Sequence, residues 1–285
     1  MGKMKKNIKL LTIFLTIILI INFSQTCFTV CSSEENDKSN NLNNIMFNNF
    51  KIKILQKRII IWQKPTTDPD EDGYPVLILM HGAVQTSLSW FIGLSQWGKR
   101  QTDFANQALE EGYIIIAPNS QKPIRPGPRA WDAFTEEIEN SRDLTLIQNI
   151  LEWVETMDCK IDENRIFCAG FSSGAFMTSR IGLTFPEEFC GLIIHSGCNA
   201  ESIEITNRGP VFDCETPIDI STNHPPTLIV HGEQDSLVPY ECAFRYYSDL
   251  IDGEIPTELL NDPEGGHIWL KDYNKDIFTW LKKTK

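Results

Sequence analysis

The chain has 285 residues, of which 41% are hydrophobic and 22% charged. Those are the proportions of an ordinary globular protein, and they exclude collagen-like, coiled-coil and wholly disordered classes. A formal charge of -12, from 38 acidic and 26 basic side chains, argues against nucleic acid or an anionic membrane surface as partner.

The first 31 residues read as a separate object. Lys3, Lys5, Lys6 and Lys9 precede an apolar stretch over residues 10–21, and a more polar segment follows to Cys31. This is the order of a secretory signal peptide, with a retained signal anchor as the alternative. The apolar stretch falls short of the roughly 18 residues that cross a bilayer comfortably. An N-terminal Met1-Gly2 begins like a myristoylation signal, but Lys6 stands where Ser or Thr is required. Residues 32–50, rich in asparagine, predict a disordered spacer, and residues 51–285 a single domain. An exported, acidic protein is expected, with no stable membrane insertion once the leader is cleaved.

Six cysteines lie beyond the leader: Cys159, Cys168, Cys190, Cys198, Cys214 and Cys242. Export permits disulfides. Cys198 with Cys214 is the expected pair, because both sit in one loop-rich stretch. Cys168, inside an apolar run, is expected to be a free core thiol. No C-x-x-C pair is present, so zinc-ribbon and thioredoxin-like sites have no support.

The β-branched residues over 52–62 predict a strand or hairpin, and Pro69 and Gly73 a turn over 66–74. A short apolar run over 76–80 predicts a buried strand. Helical spacing runs over 97–111, where Gly112 is placed to end it. Residues 113–117 predict a second buried strand, and the prolines between 123 and 128 a loop. Leu144, Ile147, Ile150, Leu151 and Val154 give helical spacing over 141–157. The rest reads as strand 165–169, helix 173–185, strands 192–195 and 227–230, helix 240–251, strand 255–260 and helix 272–282. Buried strands alternating with helices imply an α/β fold, with a mostly parallel sheet covered by helices on both faces.

Gly170-Phe171-Ser172-Ser173-Gly174 fits G-x-S-x-G, and it lies between an apolar strand and a helical stretch. That is the setting of a nucleophile elbow, where the serine occupies a strained turn and its neighbours two positions away must be small. Ser173 N–H, at the start of the helix, is the expected first oxyanion donor. Asp235 follows the strand over 227–230, and His267 follows the strand over 255–260. A serine needs a base to take its proton. Histidine can take and return that proton near neutral pH, and an aspartate fixes the imidazole tautomer. Ser172, Asp235 and His267 therefore form the candidate catalytic set. Met80-His81-Gly82-Ala83 follows the strand over 76–80. It offers Ala83 N–H as the second oxyanion donor, with Val84 as the close alternative. Asp132 and Asp143 are rival acids, but neither follows a strand. His81, His195 and His231 read as structural, and His224 as a surface-loop residue. Trp131 and Trp269 are candidates to line a substrate pocket.

With these pieces the chain resembles an α/β-hydrolase. Within that superfamily it is similar to the esterases grouped with feruloyl esterases, acetylxylan esterases and polyhydroxybutyrate-depolymerase-like proteins. The matching residues are His81-Gly82-Ala83 with Gln85-Thr86, Trp131, Gly170 to Ala175, His231-Gly232 with Asp235 and Val238-Pro239-Tyr240, and Gly266-His267-Ile268-Trp269. The resemblance implies hydrolysis of small or oligosaccharide-linked carboxylic esters through an acyl-serine intermediate, with no cofactor and no metal. Those esterases often carry cysteine where this chain has Ala83, and a backbone donor is indifferent to that change. The attached polymer-binding module often found in them is missing, which weighs against insoluble polymer as the preferred substrate. Two other readings share these motifs. One is a prolyl-oligopeptidase-type peptidase, for whose large extra domain the segment before the first strand is short. The other is an inactive hydrolase fold used for binding, which would not require all three candidate residues.

Overall fold

The computed structural model describes residues 46–47, 50–93, 96–121, 129–206 and 209–284. The expected leader, most of the expected spacer and the proline-rich loop over 123–128 lie outside the described residues.

The strands are β1 (Met46–Phe47), β2 (Phe50–Leu55), β3 (Arg58–Gln63), β4 (Tyr74–Met80), β5 (Ile114–Pro118), β6 (Ile161–Phe171), β7 (Gly191–His195), β8 (Ile203–Thr206), β9 (Gly209–Phe212), β10 (Thr227–Gly232) and β11 (Thr257–Asp262). The α-helices are α1 (Gln96–Glu110), α2 (Leu144–Glu155), α3 (Ser173–Thr184), α4 (Tyr240–Asp252) and α5 (Asn274–Lys283). One sheet runs in the order β1-β2-β3-β5-β4-β6-β7-β10-β11. The pairs from β5 through β11 are parallel, and β1, β2 and β3 add an antiparallel edge.

Every residue of β4 is buried, which places that strand at the centre of a covered sheet. Alternate side chains leave opposite faces. Val76, Ile78 and Met80 join the core under α2, α3 and α4, whereas Leu77 and Leu79 join Phe104 of α1 and Phe278 of α5. Each such side chain contributes about 2 kcal/mol of burial, so continuous apolar runs mark the central strands. The parallel array brings the carboxyl ends of β4, β6, β7, β10 and β11 to one edge. Chain segments leaving that edge are where ligands of open α/β sheets bind.

One expectation narrows and two change. The strand-or-hairpin over 52–62 is a hairpin, with Gln56 and Lys57 at φ 49° and 62°. Two left-handed residues suit a tight connection between twisted strands. The spacer ends before residue 50, because Met46 and Phe47 pair with Lys51 and Phe50: the apolar residues at its end extend the sheet edge. Finally, the disulfide joins Cys214 to Cys242, and Cys198 is a buried free thiol. The stretch between Cys198 and Cys214 is no simple loop, because the β8–β9 ladder folds within it. Cys214, following that ladder, meets the first turn of α4. Cys168 is free and buried, as expected, 3.4 Å from the Thr178 hydroxyl.

The bridge closes a segment of 28 residues, for which loop-closure entropy gives about 3.6 kcal/mol. A Cys214→Ser variant is expected to melt about 10 °C lower, given the usual response of a domain this size. An unchanged melting temperature under non-reducing conditions would contradict that expectation.

Candidate active site

Strand β6 stops at Phe171 and α3 starts at Ser173, leaving Ser172 between them at φ 54° and ψ -120°. A non-glycine residue there is strained, and its peptide groups are held on both sides. Ser172 N–H donates to the His195 carbonyl at 3.0 Å, and its carbonyl accepts from Ala175 and Phe176 N–H at 2.8 and 3.2 Å. The flanking glycines are there for space. A Cβ on Gly170 would stand 2.1 Å from the Gly174 carbonyl oxygen, and one on Gly174 would stand 2.2 Å from that of Met80.

Three segments from the carboxyl edge meet at this turn. His267 Nε2 lies 2.9 Å from Ser172 Oγ, and His267 Nδ1 lies 2.7 Å from Asp235 Oδ2. The other oxygen of Asp235 accepts Leu237 and Val238 N–H, both at 2.9 Å. Burial pushes the Asp235 carboxyl up, but the hydrogen bonds from His267, Val238 and Leu237 outweigh it, so the group sits below the usual carboxylate range. An ionised Asp235 requires the His267 proton on Nδ1, which leaves Nε2 free to accept from the serine hydroxyl.

The HG turn is pinned at three successive peptide groups. Gly82 N–H donates to Gln85 Oε1 at 2.8 Å, the Gly82 carbonyl accepts from His81 Nδ1 at 2.7 Å, and Val84 N–H donates to the Arg129 carbonyl at 2.8 Å. Val84 N–H is therefore occupied, which leaves Ala83 of the two expected donors. Across the turn, Ser173 Oγ accepts Trp131 N–H at 3.1 Å, and Trp131 Nε1 donates to the His81 carbonyl at 2.7 Å. The Trp131 segment thus ties the HG turn to the elbow.

Neither tryptophan lines an open pocket. Trp131 is 3% exposed and Trp269 is 2% exposed. Trp269 lies edge-on to Trp90 and bonds Asn274 Oδ1. Its place two residues after His267 drew it inward because the sheet face there is apolar. Asp143 is spent on the buried Arg58 guanidinium, and Asp132 faces Arg142, so neither competes with Asp235. The Arg129 carbonyl was invisible in the sequence, since a backbone contact leaves no residue signature.

The other four histidines are buried. His224, expected on the surface, bonds Tyr246 Oη at 3.2 Å beneath α4. Burial lowers His81 and His224 to about 4, and lowers His195 and His231 as well. The unfolded groups titrate near 6.5. Below that pH the unfolded chain binds protons that the folded one refuses, so stability falls with pH until the folded groups protonate. For His81 and His224 the loss is about 3 kcal/mol each at pH 4. Denaturant midpoints should therefore drop steeply between pH 6.5 and pH 4, and a flat profile there would contradict neutral burial.

A family model described as Phospholipase/Carboxylesterase matches residues 64–284. A "Poly(3-hydroxyoctanoate) depolymerase" from Pseudomonas fluorescens is 29% identical over 235 residues, covering 80% of this chain and 80% of that protein. "Dipeptidyl-peptidase 5" from Arthroderma otae is 26% identical over 247 residues, covering 77% of this chain but 33% of that protein. The chain thus spans about one third of that relative. Among solved structures, acetyl xylan esterase from Aspergillus awamori superposes with a TM-score of 0.60 at 15% identity, covering 79% of this chain and 94% of that one.

Proposed function

Since the chain belongs to the phospholipase/carboxylesterase family, has the α/β-hydrolase fold and is a carboxylic ester hydrolase, we propose that it cleaves esters with an apolar acyl part through an acyl-serine intermediate. The observation that carries this reading is the continuous hydrogen-bonded chain from Ser172 through His267 to Asp235. Ser172 Oγ attacks the ester carbonyl carbon while His267 Nε2 takes its proton. The carbonyl oxygen becomes an oxyanion facing Ala83 and Ser173 N–H. On collapse the carbon–oxygen bond to the alcohol breaks, and the alcohol leaves with the proton from His267. Water then attacks the acyl-serine, giving its proton to His267, and the acid leaves as Ser172 recovers its own.

Exposed apolar residues sit beside these groups: Val84 on the HG turn is 76% exposed and Leu237, two residues after Asp235, is 62% exposed. They favour a medium-chain or hydroxyalkanoate-type acyl group over acetyl, in keeping with the name of the Pseudomonas relative. Feruloyl esters of plant polysaccharide fragments remain the neighbouring substrate class. The fungal relatives named as dipeptidyl-peptidases keep peptide hydrolysis as a second reading. Export fits the basic-apolar-polar order over residues 1–31 and the disulfide between Cys214 and Cys242. No helix of the described residues is long and apolar enough to cross a membrane.

The test is a panel of p-nitrophenyl acetate, p-nitrophenyl octanoate, methyl ferulate, a 3-hydroxyoctanoate oligomer and Ala-Ala-p-nitroanilide. The octanoate and the oligomer should give the highest kcat/KM, with no turnover of the anilide. Preferential anilide cleavage would overturn the reading in favour of a peptidase.

A further inference from the structure

Strand β7 ends at His195, and the next residue, Ser196, sits at φ 51° with no exposed surface. A buried serine in the left-handed region is costly, so the surroundings must hold it there. Gly197 follows, where a Cβ would stand 2.4 Å from that of Ala175. The chain is therefore pressed against α3 directly beneath the elbow.

This dipeptide touches all three segments that bear the candidate catalytic residues. The His195 carbonyl accepts Ser172 N–H, and Ser196 N–H donates to the Val230 carbonyl at 2.9 Å, on the strand that leads to Asp235. The side chains reach the third segment. His195 Nε2 accepts Leu270 N–H at 2.9 Å. Its ring stacks on Trp269, centroids 4.2 Å apart and planes at 19°. The Ser196 hydroxyl lies 3.3 Å from the Ile268 carbonyl and 3.1 Å from His195 Nδ1. These contacts dictate one hydrogen arrangement. Nε2 accepts, so the ring proton is on Nδ1 and goes to Ser196 Oγ, whose own proton goes to Ile268. The imidazole is neutral and both its nitrogens are used.

We propose that His195 and Ser196 are positioning residues, which clamp residues 268–270 and so hold the His267 imidazole between Ser172 and Asp235. The proposal rests on the serine-hydrolase reading above. Neither side chain is placed to touch substrate, because both are fully buried. Their effect passes through the aim of His267 alone. A displacement of about 1 Å in a catalytic group can cost on the order of 100-fold in rate. Losing the clamp should lower kcat and leave KM nearly unchanged, since the binding surface is untouched.

The experiment compares His195→Leu and His195→Gln in the full chain. Leucine fills the space without an acceptor, whereas glutamine can place its amide oxygen near the Nε2 position. Rates are expressed per active site, counted by stoichiometric reaction with a fluorophosphonate, so that misfolded protein does not enter. His195→Leu should lose roughly 30-fold in kcat with KM within about twofold, and His195→Gln should recover most of that loss. Ser196→Gly, which suits the left-handed backbone, should lose kcat several-fold and serves should His195→Leu fail to fold. Unchanged kcat in both His195→Leu and Ser196→Gly would overturn the proposal, as would a glutamine variant no better than leucine. The parent's ester turnover, abolished by Ser172→Ala, checks the underlying reading separately. Turnover surviving in Ser172→Ala would remove both.

Discussion

Replacing Ser172 by alanine is expected to reduce kcat on ester substrates by on the order of 10⁶-fold, or about 8 kcal/mol of barrier, with KM little changed. The size follows from the site. Ser172 Oγ is the atom within hydrogen-bond reach of the His267 base, and water entering in its place lacks its fixed position. Removing Oγ deletes no packing, and alanine meets the same backbone conformation at φ 54°. The melting temperature should therefore stay within a few degrees, which separates lost chemistry from lost fold. A residual rate within tenfold of the parent would mean another group forms the ester-cleaving bond.

Asp235→Asn should cost about 10⁴-fold in kcat, or about 5 kcal/mol. The asparagine oxygen keeps the Leu237 and Val238 N–H donors now held by Oδ1. Its NH₂ then faces His267 Nδ1. Two donors cannot face each other, so the imidazole proton moves to Nε2 and the nitrogen that should accept from Ser172 becomes a donor. Geometry is preserved and the tautomer is wrong. A loss below about tenfold would show that Asp235 does not orient the base. Asp143, the sequence rival, is engaged with Arg58, and Asp143→Asn should disturb stability before chemistry.

Much of this arrangement was legible in the sequence, because parallel strands are buried on both faces and therefore appear as unbroken apolar runs. β4, β5, β7 and β10 all surfaced that way, and the residues following β6, β10 and β11 carried the candidate chemistry. Once the sheet is parallel, strand ends share an edge, so Ser172, Asp235 and His267 meet although up to 95 residues separate them. What escaped depended on packing between segments. The β8–β9 ladder has half-exposed strands with no apolar run, and without it Cys198 and Cys214 looked like natural partners. Trp131 and Trp269 carried the right aromatic chemistry, but only the fold decides whether a ring faces solvent or core. His195 read as a packed histidine. Its hydrogen bond to Leu270 N–H and its stack on Trp269, like the carbonyl of Arg129 behind Val84, are long-range contacts that no local pattern encodes.

The most direct measurement is peptide mapping by mass spectrometry after reaction with a p-nitrophenyl alkylphosphonate, a tetrahedral mimic that stops at the covalent stage. The account predicts one phosphonyl group per molecule on Ser172, formed in the parent and absent from a His267→Ala variant at the same exposure time. Phosphonylation at Ser173 or elsewhere, or labelling of Ser172 that proceeds equally without His267, would contradict it.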